Sequence, residues 1–205
     1  MLYIPALFAE TDRARLYEFM RQHSFATLIS GTAPDPSVSH IPFLIDAERG
    51  TLRGHVARAN PQWRTLHSSS EVLVIFNGPH HYVSPSWYAV HPSVPTWNYA
   101  VVHAHGRPRI IDERAELERL VADLVAEHER HLQNPWKLDL PPDYMHSMLS
   151  EIVGFEIEVT RLAGKFKLSQ NRPAFERPRV VSALEAIGGD EARKVALLMR
   201  ERQSR

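Results

Sequence analysis

Two runs, Phe25-Ala-Thr-Leu-Ile-Ser30 and Ser37-Val-Ser-His-Ile-Pro-Phe-Leu-Ile-Asp46, decide the fold class. The first reads as a short buried strand, and Pro34-Asp35-Pro36 forces a turn between the two. In the second, Ile41, Phe43 and Ile45 fall on one face by period-two alternation, and Ser39 continues that face. Pro42 lies inside this run, which favours a sheet edge or a bulge. Outward from here, Arg49-Gly50 turns into a third strand over Thr51–Ala57. Glu71–Phe76 reads as a fourth, closed by Asn77-Gly78-Pro79, with further strands over His81–Trp87 and Asn98–Ile111. Pro92 and Pro95 make 86–97 a loop.

Helices frame these strands. One starts near Thr11-Asp12 and runs to about His23, with Leu16, Phe19, Met20 and His23 on one stripe. Asn60 caps a short helix with Pro61 at its first position. Asp112–Gln133 is the clearest helix, its stripe formed by Leu117, Leu120, Val121, Leu124 and Val125 and extended by Leu132. A short helix follows near Asp143–Ser150. Ile152–Ser169 is extended, with a break expected at Ala163-Gly164. The tail from Phe175 is helical and interrupted by Gly188-Gly189. Strands joined by short turns, with one return strand after a helical insertion, indicate an antiparallel barrel with helices at its ends.

The chain has 205 residues, of which Leu, Ile, Val and Phe are about a quarter, enough for a folded core. Twenty-four basic and 24 acidic residues cancel, so whole-molecule attraction to nucleic acid or anionic membrane is not expected. The absence of cysteine excludes disulfides, thiol nucleophiles and thiolate metal sites. The longest apolar run, Val72–Phe76, is far too short to span a membrane, and no signal peptide is evident; a soluble, cytoplasmic protein is the expectation.

Three constellations carry chemistry. In Lys165-Phe-Lys-Leu-Ser-Gln-Asn-Arg172, an extended chain puts Lys165, Lys167 and Ser169 on one face, and Phe166 and Leu168 on the other. From Arg161 to Arg179 there are six basic residues and one acid, Glu176, a local excess suited to a phosphate or another small anion. Equally, the lysines fit a solvated strand face paired to acids elsewhere. In Gly54-His-Val-Ala-Arg-Ala-Asn-Pro61 a strand end meets a helix start, where N–H groups attract anions and Arg58 stands near. Ser84-Pro-Ser-Trp-Tyr88 and Val94-Pro-Thr-Trp-Asn-Tyr99 place aromatics in a loop, where they pack on a ligand, a partner or the core. The 12 histidines, including His103 and His105 on one strand face, show no zinc-binding spacing. Nucleophile-elbow, phosphate-loop and dinucleotide-fold fingerprints are all missing.

These motifs, with the opening Met1-Leu-Tyr-Ile-Pro5, Phe8 and Ser39-His-Ile-Pro-Phe43, resemble in order the PaiB-type FMN-binding family, often called negative transcriptional regulators. The resemblance implies a mainly β, α+β fold: an antiparallel Greek-key split β-barrel flanked by helices. The barrel domain would span 1–172, including the helical insertion 112–150, and a helical extension 173–205. It further implies a homodimer with FMN at the subunit interface. The strand ending at Ala57 would lie beside the flavin ring, with backbone groups of His55, Val56 and Ala57 reading its polar edge. Arg58 and Asn60 would lie near the phosphate, and Lys165, Lys167 and Ser169 would contribute from the last strand. Trp97, Asn98 and Tyr99 would come from the partner chain, and His40 and Pro42 would sit on the strand pairing with this region. The function implied is a flavin-dependent redox protein or flavin-linked regulator, with no residue selected as catalytic. Alternatives are a transcriptional regulator acting on DNA directly or indirectly, and a haem- or metal-binding split barrel. Direct DNA contact is disfavoured by zero net charge and the lack of a helix-turn-helix signature, although Arg193, Lys194, Arg200, Arg202 and Arg205 enrich the tail.

Overall fold

The computed structural model describes residues 2–32 and 34–203; Met1 and Arg205, named above, lie outside them. Its eight strands are β1 (Ala9–Glu10), β2 (Phe25–Ser30), β3 (Ser37–Pro42), β4 (Leu44–Asp46), β5 (Thr51–Ala57), β6 (Val72–Val83), β7 (Thr96–Ile111) and β8 (Ile152–Lys167). The α-helices are α1 (Arg13–Gln22), α2 (Gln62–Ser68), α3 (Arg114–Glu129), α4 (Pro142–Ser150), α5 (Arg177–Ile187) and α6 (Asp190–Gln203). Hydrogen-bonded neighbours run in the order β3-β2-β6-β7-β8-β5-β4, with β1 paired to β8.

The two ends of that order are β3 and β4, and Phe43 alone separates them in the chain. One continuous segment therefore supplies both edges of the sheet, which closes it into the split barrel. The expected single strand over 37–46 is broken here. The Phe43 N–H turns to the Ser24 carbonyl (2.9 Å). Its ring, 1% exposed, packs 5.9 Å from Phe76 and 6.0 Å from Phe155. Burying that ring outweighs continuing the period-two pattern. Pro42 ends β3, an edge strand, where its missing N–H costs no ladder bond.

Contacts gather the chain into two compact units, 13–76 with 103–162, and 2–12 with 77–102 and 163–203; β6, β7 and β8 each run from one into the other. In the first unit α3 buries Leu117, Leu120 and Leu124 in a cluster with Ile111 and Leu149. The helix ends at Glu129, short of the expected Gln133, and Leu132 is exposed. On α1, Leu16, Phe19 and Met20 are buried as the stripe requires, and so is Tyr17, whose hydroxyl accepts from Arg13 Nη2 (3.0 Å).

The turn expected at Asn77-Gly78-Pro79 is absent, because β6 continues through it. The β2 ladder covers only Leu73–Ile75 of β6, so Pro79 lies beyond any β2 partner. Nor does β8 break at Ala163-Gly164: Gly164 and Lys165 pair with Glu10 and Ala9 of β1. In the second unit, α5 and α6 bury Val180, Val181, Leu184, Val195 and Met199. Gly188 (φ 72°) and Gly189 (φ 80°) join them in the left-handed region, which glycine enters without a Cβ penalty.

Candidate functional site

Two groups of expected site residues form, one in each unit. In the first, β5 pairs with β8 from Thr51↔Glu158 to Ala57↔Ile152, whereas its ladder with β4 covers only Thr51–Arg53. Residues 54–57 thus extend past the end of β4. His55 sits opposite Gly154, and directly opposed residues share a face. A Cβ at Gly154 would meet Leu117 and Leu120, so His55 faces the side covered by α3. Its Nδ1 is buried without a partner, and burial lowers the ring's basicity. Of its neighbours, Val56 is buried and Ala57 exposed.

Arg58 is committed to the protein. Its Nε and Nη2 donate to the carbonyls of Ser150 (2.5 Å) and Ile152 (2.9 Å), and its N–H to Glu151 O (2.7 Å), satisfying acceptors at the end of α4. Asn60 accepts from the Gln62 N–H (3.0 Å), the expected cap, and donates to Ser39 Oγ (2.9 Å). His40 Nδ1 lies 3.0 Å from Thr27 Oγ1 across the β2–β3 pair, with its side chain exposed. Gln62, which the sequence reading passed over, is 1% exposed and its Nε2 contacts Leu28 O, Ser30 Oγ and Ser37 O. Beside Arg58 lies a cavity of about 350 Å³ lined by Trp63, Ile110, Arg114, Ser150 and Ile152.

The second group is more tightly built. Lys165, 9% exposed, holds its ammonium 5.4 Å from the ring centres of both Tyr3 and Tyr99. Lys167 Nζ donates to Thr96 Oγ1 and to Trp97 O (2.7 Å), and lies 6.0 Å from the Phe8 ring. Burial, then the charges of Lys165 and Arg172, lower its pKa. Among the described residues no carboxylate pairs with either lysine. Ser169 does not share their face as expected. The strand ends at Lys167, and Ser169 turns at φ 64° and is buried. Its hydroxyl exchanges hydrogen bonds with the amide of fully buried Asn98 (2.9 and 3.2 Å), whose Nδ2 also donates to Met199 Sδ (3.4 Å). The lysines and Trp97–Tyr99 thus adjoin within one chain.

Beyond Ser169, the chain secures the loop before β7. Arg172 lies 4.0 Å over the Tyr88 ring and donates to Ser93 Oγ (3.2 Å). Glu176, 1% exposed, accepts from the N–H groups of Ala89 (3.0 Å) and Val90 (2.8 Å). Burial opposes its charge, but these amides, with Arg179 and Arg172, hold its carboxyl below the usual carboxylate range. Arg179 Nε donates to Trp87 O (3.1 Å). A lone acid within a basic run was the only sequence signal for this arrangement.

His103 and His105 on β7 have lowered pKa values. Burial is the main cause in each, with Arg161 adding repulsion; Glu71, 3.4 Å from His105 Nδ1, opposes it only in part. With His55, three rings resist protonation in the folded chain. The unfolded chain takes up protons near pH 6.5, so this stability is complete above that value and is lost as pH falls below it. Urea unfolding should therefore give a falling free energy from about pH 7.5 to about pH 5.5, and a smaller fall in His55→Leu. A flat profile in the parent chain contradicts the assignment.

The donor sets fit a flavin nucleotide. A buried Lys165 and a half-buried Lys167, with no carboxylate partner among the described residues, suit an anion, and the neighbouring Tyr99 and exposed Trp97 suit a planar ring. No group of three His, Asp or Glu able to hold a metal occurs among the described residues. Nor, among them, is any helix long and apolar enough to cross a membrane.

Fold and site together define a split-barrel protein with an aromatic-flanked cationic site. Residues 2–161 match the family described as "Putative FMN-binding domain", and the chain belongs to that family, whose cofactor is FMN. It is 36% identical over 204 residues to "Protease synthase and sporulation protein PAI 2" of Bacillus subtilis, covering 98% of each chain. In structure it is similar to the flavocytochrome Anf3 of Azotobacter vinelandii (TM-score 0.60, 12% identity, 78% of this chain and 69% of that one). It is also similar to an FAD and heme binding protein of Mycobacterium smegmatis (TM-score 0.57, 16% identity, 89% and 80%). These likenesses establish the fold.

Proposed function

We propose that the chain is an FMN-dependent redox protein that works as a homodimer with the flavin at the subunit interface. The observation that carries the reading is the buried Lys165 ammonium, flanked by Tyr3 and Tyr99 with Lys167 nearby and, among the described residues, no carboxylate to neutralise them. When bound, FMN supplies hydride or electron transfer. The lysines hold an anionic group, and Thr96 and the Trp97 carbonyl fix where Lys167 presents its charge. Exposed Tyr3, Val94, Trp97 and Phe175 in the same unit support a second copy as the partner.

Regulation of transcription, on this reading, runs through the flavin rather than through direct DNA contact. The basic residues of α6 are largely paired: Arg200 with Glu185, Arg202 with Glu10, and Lys194 with Glu191. That leaves little free charge for phosphates.

The visible spectrum of the purified protein, with mass analysis of what denaturation releases, tests the reading. A flavin spectrum and released FMN are expected, with a dimer by light scattering. A colourless protein that also fails to bind added FMN overturns it. A Soret band in place of a flavin spectrum moves the assignment to haem.

A further inference from the structure

We propose that Glu176 is a positioning residue that sets the geometry of the Thr96–Tyr99 segment, and through it the affinity and ring environment of the bound flavin. This rests on the flavin reading above and concerns residues beyond the part of the chain that matches the family.

A carboxylate is costly to bury, and one that is almost wholly enclosed must be satisfied where it lies. Glu176 satisfies both oxygens on two consecutive backbone amides of one loop, Ala89 and Val90. Those amides belong to no helix or strand, so the carboxylate takes the place of a ladder. The flanking residues grip the same loop: Arg179 holds the Trp87 carbonyl, and Arg172 covers Tyr88 and holds Ser93. Three charged groups from a span of eight residues (172–179) thus fix the loop from Trp87 to Ser93.

Only Val94 and Pro95 separate that loop from Thr96, where β7 begins. Thr96 and Trp97 are the groups that receive the Lys167 ammonium. A displacement of the loop is therefore passed along two residues to the lysine's partners and to the exposed Trp97 ring. Among the described residues Glu176 has no hydrogen bond or ion pair to either lysine; it acts through the loop.

The test uses the full-length protein and begins with FMN titration of the parent chain. In Glu176→Gln one acceptor is replaced by a donor that faces the Ala89 and Val90 amides. The FMN dissociation constant should rise about tenfold, the scale of a charge-assisted hydrogen bond. The bound-flavin absorption bands should shift as well. Hydrogen exchange should quicken in peptides spanning 86–97 and stay unchanged in β2 and β5, a readout that needs no flavin. Arg179→Ala, at an exposed side chain, leaves the carboxylate in place and should weaken FMN by two- to threefold, so the inference stays testable if the first variant folds poorly. If the parent chain binds FMN and both variants match it in affinity and spectrum, the inference is wrong and the flavin reading stands. A parent chain that takes up no FMN removes the flavin reading and this inference with it, whatever the exchange pattern.

Discussion

Gly106→Ala is expected to lower the unfolding free energy by about 3 kcal/mol, at the upper end of what overpacking costs. Gly106 is buried in β7, where the neighbouring strand β8 closes over it. A Cβ built there lies 2.4 Å from the Glu158 carbonyl oxygen and 2.4 Å from Ile157 Cγ2. Neither contact is the free end of a flexible side chain, so relief requires moving β8 itself. The ladder resists, since the same part of β8 pairs with β5 at Thr51↔Glu158 and Leu52↔Ile157. Gly189→Ala is the control. It has the left-handed φ of 80° but nothing within 4 Å of the new Cβ, so only backbone strain of about 1 kcal/mol is expected. Urea midpoints compared at equal m-value decide the matter. If Gly106→Ala costs no more than Gly189→Ala, close approach of β8 is not why glycine stands at 106.

How far the chain declares itself depends on whether local or long-range terms dominate. Phe25–Ser30 and Thr51–Ala57 were legible to the residue, because each is a short strand-forming run bounded by turns. The Gly188-Gly189 interruption was legible for the same local reason. Phe43 was misread, since nothing adjacent to it reveals that the two halves of one run go to opposite edges of a sheet. Only the Phe43–Phe76 and Phe43–Phe155 contacts, more than 30 residues distant in sequence, make that break favourable. Pro79 was misread in the opposite sense. A proline is a breaker only where a ladder needs its N–H, and ladder extent is not a local property. In the site, the Lys165/Lys167 pair could be read from its spacing. Ser169 extended the pattern one step too far, past the end of the strand. The partners that give the lysines their setting, Tyr3, Phe8 and Thr96, lie in distant segments that the sequence singles out, but nothing local says that those segments meet the lysines. Glu176 belongs to the same class: its chemistry is visible, but its loop partner is fixed only by the fold.

Lys165→Met should separate stability from binding, because the two respond with opposite sign. The ammonium is nearly enclosed and, among the described residues, faces two rings and no carboxylate. Each cation–π contact contributes about 0.5–2 kcal/mol, while enclosing an ammonium costs several kcal/mol. A residue kept only for stability is poorly served by that balance. Methionine fills a similar unbranched volume without the charge, so the urea midpoint should stay unchanged or rise. FMN affinity should fall about 10- to 100-fold, as one charge-assisted contact to an anion is lost. Lys165→Arg keeps the charge and stacks well on aromatic rings, so it should restore most of the affinity. The converse pattern, a clear loss of stability with FMN bound as in the parent chain, would make Lys165 a structural cation between two tyrosines. The anion-binding role would then rest on Lys167 alone.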